Sequence, residues 1–177
     1  MRQAEKSNAL LCNIFLIGFM GTGKSTVAKA LKERTGAEII EMDQLIAQRE
    51  NQSIPRIFEK KGEAYFRNLE TELLMELQSG EKNIVSCGGG VPMREKNVLE
   101  MKKSGKVVLL TALPETVLER VKDNHDRPLL QNRKSVEGIR ELMEQRREKY
   151  EAAADVMVTT DGKSAETIAR EILQTIR

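Results

Sequence analysis

The stretch that most constrains this fold is residues 18–26, which read GFMGTGKST. An apolar run over residues 11–17 precedes it, and a helical pattern with apolar Val27, Ala28 and Leu31 follows it. The spacing G-x-x-x-x-G-K-S is that of the Walker A loop, in which a strand leads through a glycine-rich turn into a helix. The sequence therefore predicts a binding site for a nucleoside triphosphate.

The positions of this loop have distinct roles in holding phosphate. Glycines leave room for backbone N–H groups to point at phosphate oxygens, and the positive end of the helix dipole adds to the attraction. We expect the ammonium group of Lys24 to reach the β- and γ-phosphates and the hydroxyl of Ser25 to ligate Mg²⁺. The predicted nucleotide contacts in the loop are Gly21, Thr22, Gly23, Lys24, Ser25 and Thr26.

Beyond the loop, strand patterns alternate with helical patterns along the whole chain. Further strands are predicted at residues 38–42, 83–87, 106–111 and 156–160. Helices are predicted over residues 62–79 and 135–150, from Pro92 and from Pro114 onwards, and at the C-terminal end. This alternation predicts an α/β fold of three layers, α/β/α, with a central parallel sheet of about five strands. Residues 1–177 suit a single domain, with residues 1–9 as a loose start.

The composition argues against several classes of partner. The net charge is +2, aromatic residues make up 3% of the chain and tryptophan is absent, so nucleic-acid binding is disfavoured. The apolar segment near the N-terminus is too short to span a membrane, and it leads into the Walker loop instead of a cleavage site. We expect a cytoplasmic monomer with small-molecule partners, no nucleic acid and no membrane. Cys12 and Cys87 are expected to be small buried side chains.

Two further features follow predicted strand ends, where parallel α/β sheets bind their ligands. Asp43 comes after the second strand and can accept or orient the proton of an attacking hydroxyl, although an aspartate here can also be a helix N-cap. Gly88, Gly89 and Gly90 follow the third strand. Three glycines at a strand end either let the backbone approach a ligand closely or form a flexible turn.

Two arginines are candidates for binding anionic groups. Arg127 lies in the polar, turn-rich segment 122–134, which would be a lid if it covered the phosphates; otherwise Arg127 is a solvated loop residue. Arg146 continues the apolar stripe of its helix with Leu142 and Met143. An inward guanidinium needs an anion, which would be a substrate or a structural partner, unless the stem carries the charge back to solvent.

Taken in order and at this spacing, the motifs resemble the shikimate kinase family over nearly all of residues 12–176. The stretches that carry the resemblance are Gly18–Thr26, Glu41–Asp43, Gly62–Glu70, Cys87–Gly90, Arg127–Leu130, and Arg146 with Tyr150 four residues later. The resemblance implies a P-loop kinase fold with a mobile lid. It also implies that ATP, with Mg²⁺, phosphorylates the 3-hydroxyl of shikimate in aromatic amino-acid biosynthesis.

The resemblance further implies roles for individual residues. It implies that Asp43 meets the shikimate hydroxyls and that Arg67 and Arg146 bind the carboxylate, with Glu70 holding Arg67 in place. The implied substrate-binding residues are thus Asp43, Arg67, Gly88, Gly89, Gly90 and Arg146. On the nucleotide side, Arg127 would be the lid arginine, and Arg120 and Lys163 match positions near the adenine. The implied catalytic residues are Lys24, Asp43 and Arg127, and the implied metal ligand is Ser25.

The chain departs from the family pattern at one position. The family usually has Asp-x-Asp where this chain has Glu41-Met42-Asp43, and the first Asp helps to hold Mg²⁺ through water. Glu41 is one methylene longer, which changes the reach of that carboxylate but not the class of reaction.

Three other functions compete with shikimate phosphorylation. A gluconate kinase would also use two inward arginines for a carboxylate, but the triple glycine and the Arg-Pro-Leu-Leu stretch favour shikimate. A GTPase switch is disfavoured because the sequence has no Asn-Lys-x-Asp stretch to read guanine. An ATPase motor is disfavoured because no strand pattern after residue 80 ends in an apolar run followed by Asp.

Overall fold

The structure is a computed structural model that describes residues 9–122 and 135–176. Two predicted segments therefore lie outside the described residues, except for one end residue each. They are the loose start at residues 1–9, of which residue 9 is described, and the lid at residues 122–134, of which residue 122 is described. Arg127 also lies outside the described residues.

Five parallel strands form one central sheet. They are β1 (Asn13–Ile17), β2 (Glu38–Glu41), β3 (Asn83–Ser86), β4 (Gly105–Thr111) and β5 (Val156–Thr159). Their order across the sheet is β2-β3-β1-β4-β5, and every neighbouring pair is parallel. The predicted parallel sheet of about five strands is confirmed. Because β1 is central, the loop that follows it lies in the middle of the carboxyl edge, where such sheets bind ligands.

Within residues 9–122 and 135–176, eight α-helices connect and cover the strands. They are α1 (Lys24–Thr35), α2 (Met42–Glu50), α3 (Ile54–Lys61), α4 (Glu63–Glu76), α5 (Glu95–Ser104), α6 (Pro114–Val121), α7 (Val136–Ala153) and α8 (Ala165–Thr175). A short 3₁₀ helix, Val91–Met93, precedes α5. None of the helices in this described part is long and apolar enough to cross a bilayer.

The sheet separates two hydrophobic cores, because successive side chains of a strand point to opposite faces. On one face, α1 and α8 pack against Ile14 and Leu16 of β1. On the other face, side chains from α2 to α7 pack around Phe15 and Ile17 of the same strand. Both faces are therefore covered by helices, which gives the predicted α/β/α layers.

The structure corrects the prediction that Pro92 opens an α-helix. Pro92 lies in the 3₁₀ helix, and Arg94 is extended with φ −102° and ψ 117°, so α5 begins only at Glu95. The carbonyl of Val91 accepts a hydrogen bond from the Asn97 side-chain amide at 3.0 Å. This contact holds the chain in a tight turn before the α-helix begins.

Two smaller expectations also change. The helix predicted over residues 62–79 spans only Glu63–Glu76 and is followed by a turn. Gly80, just after that turn, has a φ of +100°, which is incompatible with an α-helix. Cys12 lies just before β1 and is only half-buried, whereas Cys87 is buried as predicted. Burial raises the pKa of the Cys87 thiol, which keeps it protonated.

Candidate active site

The Walker loop adopts a conformation that requires glycine. Gly18, Gly21 and Gly23 have φ values of +149°, +79° and +94°, all in the region that L side chains rarely adopt. A Cβ on Gly18 would also lie 2.5 Å from the carbonyl oxygen of Leu110, at the end of β4. The loop is thus pressed against the neighbouring strand, in a conformation that glycine alone adopts readily at these three positions.

The side chains of the loop lie at the N-terminus of α1, which begins at Lys24. The Lys24 ammonium donates to the carbonyl oxygens of Gly18 at 2.7 Å and Phe19 at 3.2 Å. The Thr22 hydroxyl donates to the Phe19 carbonyl at 2.7 Å and is buried. Ser25 and Thr26 are exposed in the first helical turn. This helix end presents a cation and two hydroxyls to solvent, which suits a phosphate ligand.

The three glycines after β3 each face one of the predicted substrate residues. A Cβ on Gly88 would lie 2.6 Å from Oδ1 of Asp43, and one on Gly90 would lie 2.2 Å from Nη1 of Arg67. A Cβ on Gly89 would lie 3.1 Å from Nη1 of Arg146. Side chains from α2, α4 and α7 therefore converge on one stretch of backbone, and any larger residue at Gly88 or Gly90 would displace them.

Asp43 is not the N-cap of its helix. The N-cap of α2 is Glu41, and Asp43 lies in the first turn with its side chain exposed. The alternative interpretation of Asp43 as a cap is therefore wrong, and the side chain lies against Gly88 instead.

Arg67 is held by two carboxylates. Nη1 donates to both carboxylate oxygens of Glu70 at 2.9 Å, and Nη2 donates to Oε1 of Glu63 at 3.3 Å. Its guanidinium also lies 5.4 Å from the ring centre of Phe66. Burial alone would lower the pKa of Arg67, but the charge and hydrogen bonds of Glu70 outweigh it and leave the pKa raised. Arg67 is therefore a fixed cation beside Gly90.

Glu70 is fully buried, and burial raises its pKa from 4.5 to about 7. The nearby Arg67 charge works in the opposite direction but does not cancel the loss of hydration. Between pH 4.5 and 7 the folded chain therefore retains a proton that the unfolded chain has released. Rising pH through this window favours the unfolded chain, so the stability that this group contributes is complete below the window and lost above it.

We expect Glu70→Gln to remove this pH dependence. Between about pH 5 and about pH 8 the melting temperature of the wild type should fall by roughly 5–10 °C relative to that of Glu70→Gln, because only the wild type must bury a carboxylate at the higher pH. Differential scanning fluorimetry of both proteins across the range measures this change. A gap that stays constant or moves the other way would show that Glu70 is ionised throughout.

Arg146 faces inward and Arg147 faces outward on α7. Nη1 of Arg146 donates to the hydroxyl of Tyr150 at 3.5 Å, and that hydroxyl donates to the carbonyl oxygen of Gly89 at 2.8 Å. Burial raises the pKa of Tyr150, so it stays a neutral donor. Arg147 is 61% exposed and pairs with Glu144 and Glu151 on the surface. The inward register predicted for Arg146 is therefore the one observed.

The residues predicted near the adenine do not all gather at the loop. Nη1 of Arg120 donates to the carbonyl of Gly21 at 2.9 Å and to the hydroxyl of Thr160 at 3.2 Å, so it joins the Walker loop to the segment after β5. The Lys163 ammonium instead pairs with Glu171 of α8 at 2.7 Å. Arg127 lies outside the described residues.

One residue at this edge was missed from the sequence. The carboxylate of Asp161 accepts from the backbone N–H of Leu113 at 3.0 Å and from the hydroxyl of Thr116 at 2.6 Å. It therefore ties the segment after β5 to the start of α6, which carries Arg120. An aspartate in a Thr-Asp-Gly turn signals a side-chain contact to backbone, but the sequence does not say which backbone.

The oxygen donors available for a metal are a hydroxyl and carboxylates. Ser25 lies in the first turn of α1, and Glu41 ends β2 opposite Ser86 of β3. Among residues 9–122 and 135–176, no group of three or more His, Cys, Asp or Glu side chains could hold a metal. Mg²⁺ in phosphoryl-transfer sites takes several of its ligands from phosphate and water, so a hydroxyl and one carboxylate fit its chemistry.

Known proteins share both the sequence and the fold. A family model described as "Shikimate kinase" matches residues 20–177. The chain is 45% identical to the shikimate kinase of Persephonella marina, over 93% of this chain and 99% of that protein. It is 42% identical to the shikimate kinase of Geobacter sulfurreducens, over 93% of this chain and 91% of that protein.

Solved structures give the same result. The shikimate kinase from Acinetobacter baumannii in complex with shikimate superimposes with a TM-score of 0.85 at 37% identity, over 94% of this chain and 93% of that one. The shikimate kinase from Aquifex aeolicus gives 0.78 at 42% identity, over 92% and 95%. A gluconokinase from Sinorhizobium meliloti gives 0.59 at 19% identity, over 95% and 93%, which is a likeness of fold alone.

Proposed function

The chain belongs to the shikimate kinase family and phosphorylates shikimate with ATP, and we propose which of its residues carry out that reaction. The observation that supports the proposal best is the convergence of Asp43, Arg67 and Arg146 on the backbone of the triple glycine. One carboxylate and two guanidinium groups thus lie against a single stretch of backbone that follows β3, the strand beside β1.

On the substrate side, the proposal follows from charge. Shikimate carries one carboxylate and several hydroxyls, so the cations Arg67 and Arg146 bind the carboxylate through charge-assisted hydrogen bonds. Asp43 then faces the ring hydroxyls and accepts or orients the proton of the attacking 3-hydroxyl. Gly88, Gly89 and Gly90 border the ring in this proposal, and each leaves room for one of these side chains, because a Cβ there would lie 3.1 Å or less from it.

On the nucleotide side, the backbone of Gly21–Thr26 surrounds the phosphates and Lys24 neutralises charge on the transferred phosphoryl group. Arg120, which donates to the carbonyl of Gly21 in the loop, would lie near the adenine, and so would Lys163 once it leaves its ion pair with Glu171. Arg127 remains a proposed lid arginine. When Mg²⁺ is bound, Ser25 and, through water, Glu41 would hold it, and it would offset the negative charge of the phosphates.

A coupled assay that measures ADP release tests the substrate directly. With ATP, shikimate should support turnover and gluconate should not. Gluconate is an open chain and lacks the rigid ring that would hold a hydroxyl group of shikimate beside Asp43. Replacing ATP by GTP tests the competing GTPase interpretation. Turnover with ATP and gluconate but not with ATP and shikimate would overturn the proposed assignment of substrate. Nucleotide hydrolysis that does not depend on shikimate would do the same.

Two adjacent arginines give a sharper test of the carboxylate site. Arg146→Ala should weaken shikimate binding about 10- to 150-fold, because a charge-assisted hydrogen bond contributes about 1.5–3 kcal/mol. ATP binding should change much less. Calorimetric titration with each ligand separately measures both affinities.

The matched control is Arg147→Ala, which removes the same side chain one position along α7. Arg147 is turned about 100° away and its partners are surface carboxylates, so its loss should change neither affinity by more than about twofold. If Arg147→Ala were the damaging variant, or if the two variants behaved alike, Arg146 would not be a carboxylate ligand.

The proposal includes a monomer that acts in the cytoplasm. Light scattering at assay concentration tests the oligomeric state.

A further inference from the structure

A buried polar network lies behind the triple glycine, away from the proposed substrate contacts. Its centre is Asn97 of α5, which is fully buried. The Asn97 amide donates to the carbonyl of Val91 at 3.0 Å, and its Oδ1 accepts from the hydroxyl of Thr71 at 2.6 Å. Thr71 is 4% exposed and lies one turn after Arg67 on α4. We call this set the Asn97 network.

Further hydrogen bonds extend the network around Thr71. The Thr71 hydroxyl also lies 3.0 Å from the carbonyl of Arg67, and it accepts from Nη1 of Arg94 at 3.2 Å. The same Nη1 donates to Oδ1 of Asn68 at 2.9 Å. Because a buried amide that lost either partner would leave an unsatisfied polar atom, the spacing between α4 and the glycine stretch is tightly fixed.

What the network fixes is the position of Arg67 relative to Gly90. Val91 directly follows Gly90, and the Gly90 backbone lies against the Arg67 guanidinium so closely that it has no room for a Cβ. Asn97 holds the Val91 side of this contact, while Thr71, one turn after Arg67 on α4, donates its hydroxyl proton to Asn97 and so ties α4 to that side. Neither side chain contacts the guanidinium or the glycines in its own right.

We propose that Asn97 and Thr71 form a positioning pair that sets the distance between Arg67 and the triple glycine, and thereby the affinity for the substrate carboxylate. The proposal rests on the proposed role of Arg67. It assigns no chemical step to Asn97 or Thr71. Their loss should weaken binding of the carboxylated substrate and leave nucleotide binding unchanged, because the Walker loop lies on a different strand end.

Asn97→Leu keeps the approximate shape of the side chain and removes both hydrogen bonds. It should raise KM for shikimate about tenfold, with KM for ATP within about twofold of the wild type and a smaller change in kcat. Thr71→Val should act in the same direction, and Thr71→Ser, which keeps the hydroxyl, should restore the wild-type KM. Thr71→Val also keeps the test available if Asn97→Leu does not fold.

Asn13 offers a matched control for a loss of stability alone. It is the other fully buried asparagine among the described residues, and its amide bridges the Leu77 carbonyl and the Asn83 N–H at the amino end of the sheet. Asn13→Leu should lower the melting temperature as Asn97→Leu does and leave KM for shikimate unchanged. If both variants raised KM alike, the effect of Asn97 would be one of stability and the proposal would be wrong.

A double-mutant cycle with Arg67 separates this inference from the proposed function. In an Arg67→Ala background, Asn97→Leu should raise KM for shikimate little further, because the residue it positions is gone. The same fold increase in both backgrounds would overturn the positioning role. If Arg67→Ala itself left KM unchanged, the proposed carboxylate site would fail, whatever the result for Asn97.

Discussion

Asp43→Asn should lower kcat by about 10²- to 10⁴-fold. The side chain lies in the first turn of α2 against Gly88, in a site that also presents Arg67 and Arg146. Asparagine keeps the size and the hydrogen-bonding shape of aspartate but cannot accept the proton of the attacking hydroxyl. Steady-state kinetics with ATP and shikimate measure the loss.

The melting temperature shows whether this loss of kcat comes from the chemical step or from a less stable fold. Because Asp43 is exposed and does not cap α2, its replacement by Asn should change the melting temperature little. The control is Asp155→Asn, the same substitution just before β5, where the carboxylate accepts from the Val107 N–H at 2.8 Å. Asp155→Asn should lower the melting temperature and leave kcat near the wild type. A stable Asp43→Asn protein with full kcat would remove Asp43 from the reaction.

The Walker loop could be predicted from the sequence because its cause is local. Gly18, Gly21 and Gly23 have φ values that other residues rarely adopt, and Gly23 leads directly into α1. The parallel pairing of the strands could also be predicted, since alternation of strand and helix along the chain favours a parallel sheet. Asp43 could be placed at the ligand-binding edge of the sheet because it follows the predicted end of the second strand closely.

The side of α7 that faces the interior could also be predicted, from the helical spacing of its apolar residues. Spacing from Leu142 and Met143 predicts that Arg146 faces inward and Arg147 outward, and the structure has both so. The same spacing places Tyr150 one turn after Arg146 but does not reveal that its hydroxyl reaches the carbonyl of Gly89. That contact joins residues 61 positions apart, which no local pattern reports.

The start of α5 shows where local rules fail. Proline is favoured in the first turn of an α-helix, so Pro92 predicted a helix start. In the structure the amide of Asn97 binds the carbonyl of Val91, and Thr71 of α4 fixes that amide from the other side. The turn is thus shaped by a contact between two helices. A buried asparagine in an otherwise amphipathic helix is a signal of such a contact, but the partner follows only from the fold.

The pairing of each glycine with one side chain likewise depends on tertiary structure. Three glycines at a strand end predict a close approach of backbone, and the structure adds that Asp43, Arg146 and Arg67 are the groups that approach. The fold brings these side chains together from helices that are far apart in sequence. Their catalytic and binding roles remain predictions.

Lys24→Ala should lower kcat by at least about 10²- to 10³-fold, which makes it one of the most damaging single changes in the chain. Lys24 begins α1, and its ammonium lies on the carbonyls of Gly18 and Phe19, inside the loop that is proposed to hold the phosphates. Alanine leaves the loop backbone intact but removes the cation that would offset charge on the transferred phosphoryl group. Shikimate binding measured without nucleotide should be nearly unchanged.

The matched control is Lys29→Ala, which removes an exposed lysine from the same helix. It has the same effect on net charge as Lys24→Ala, but Lys29 lies more than one turn beyond Lys24 along α1. Its kcat should therefore stay within about twofold of the wild type, because exposed charges at that distance are screened. If Lys24→Ala retained most of its kcat while Lys29→Ala behaved identically, the Walker loop would not be the site where the phosphoryl group is transferred.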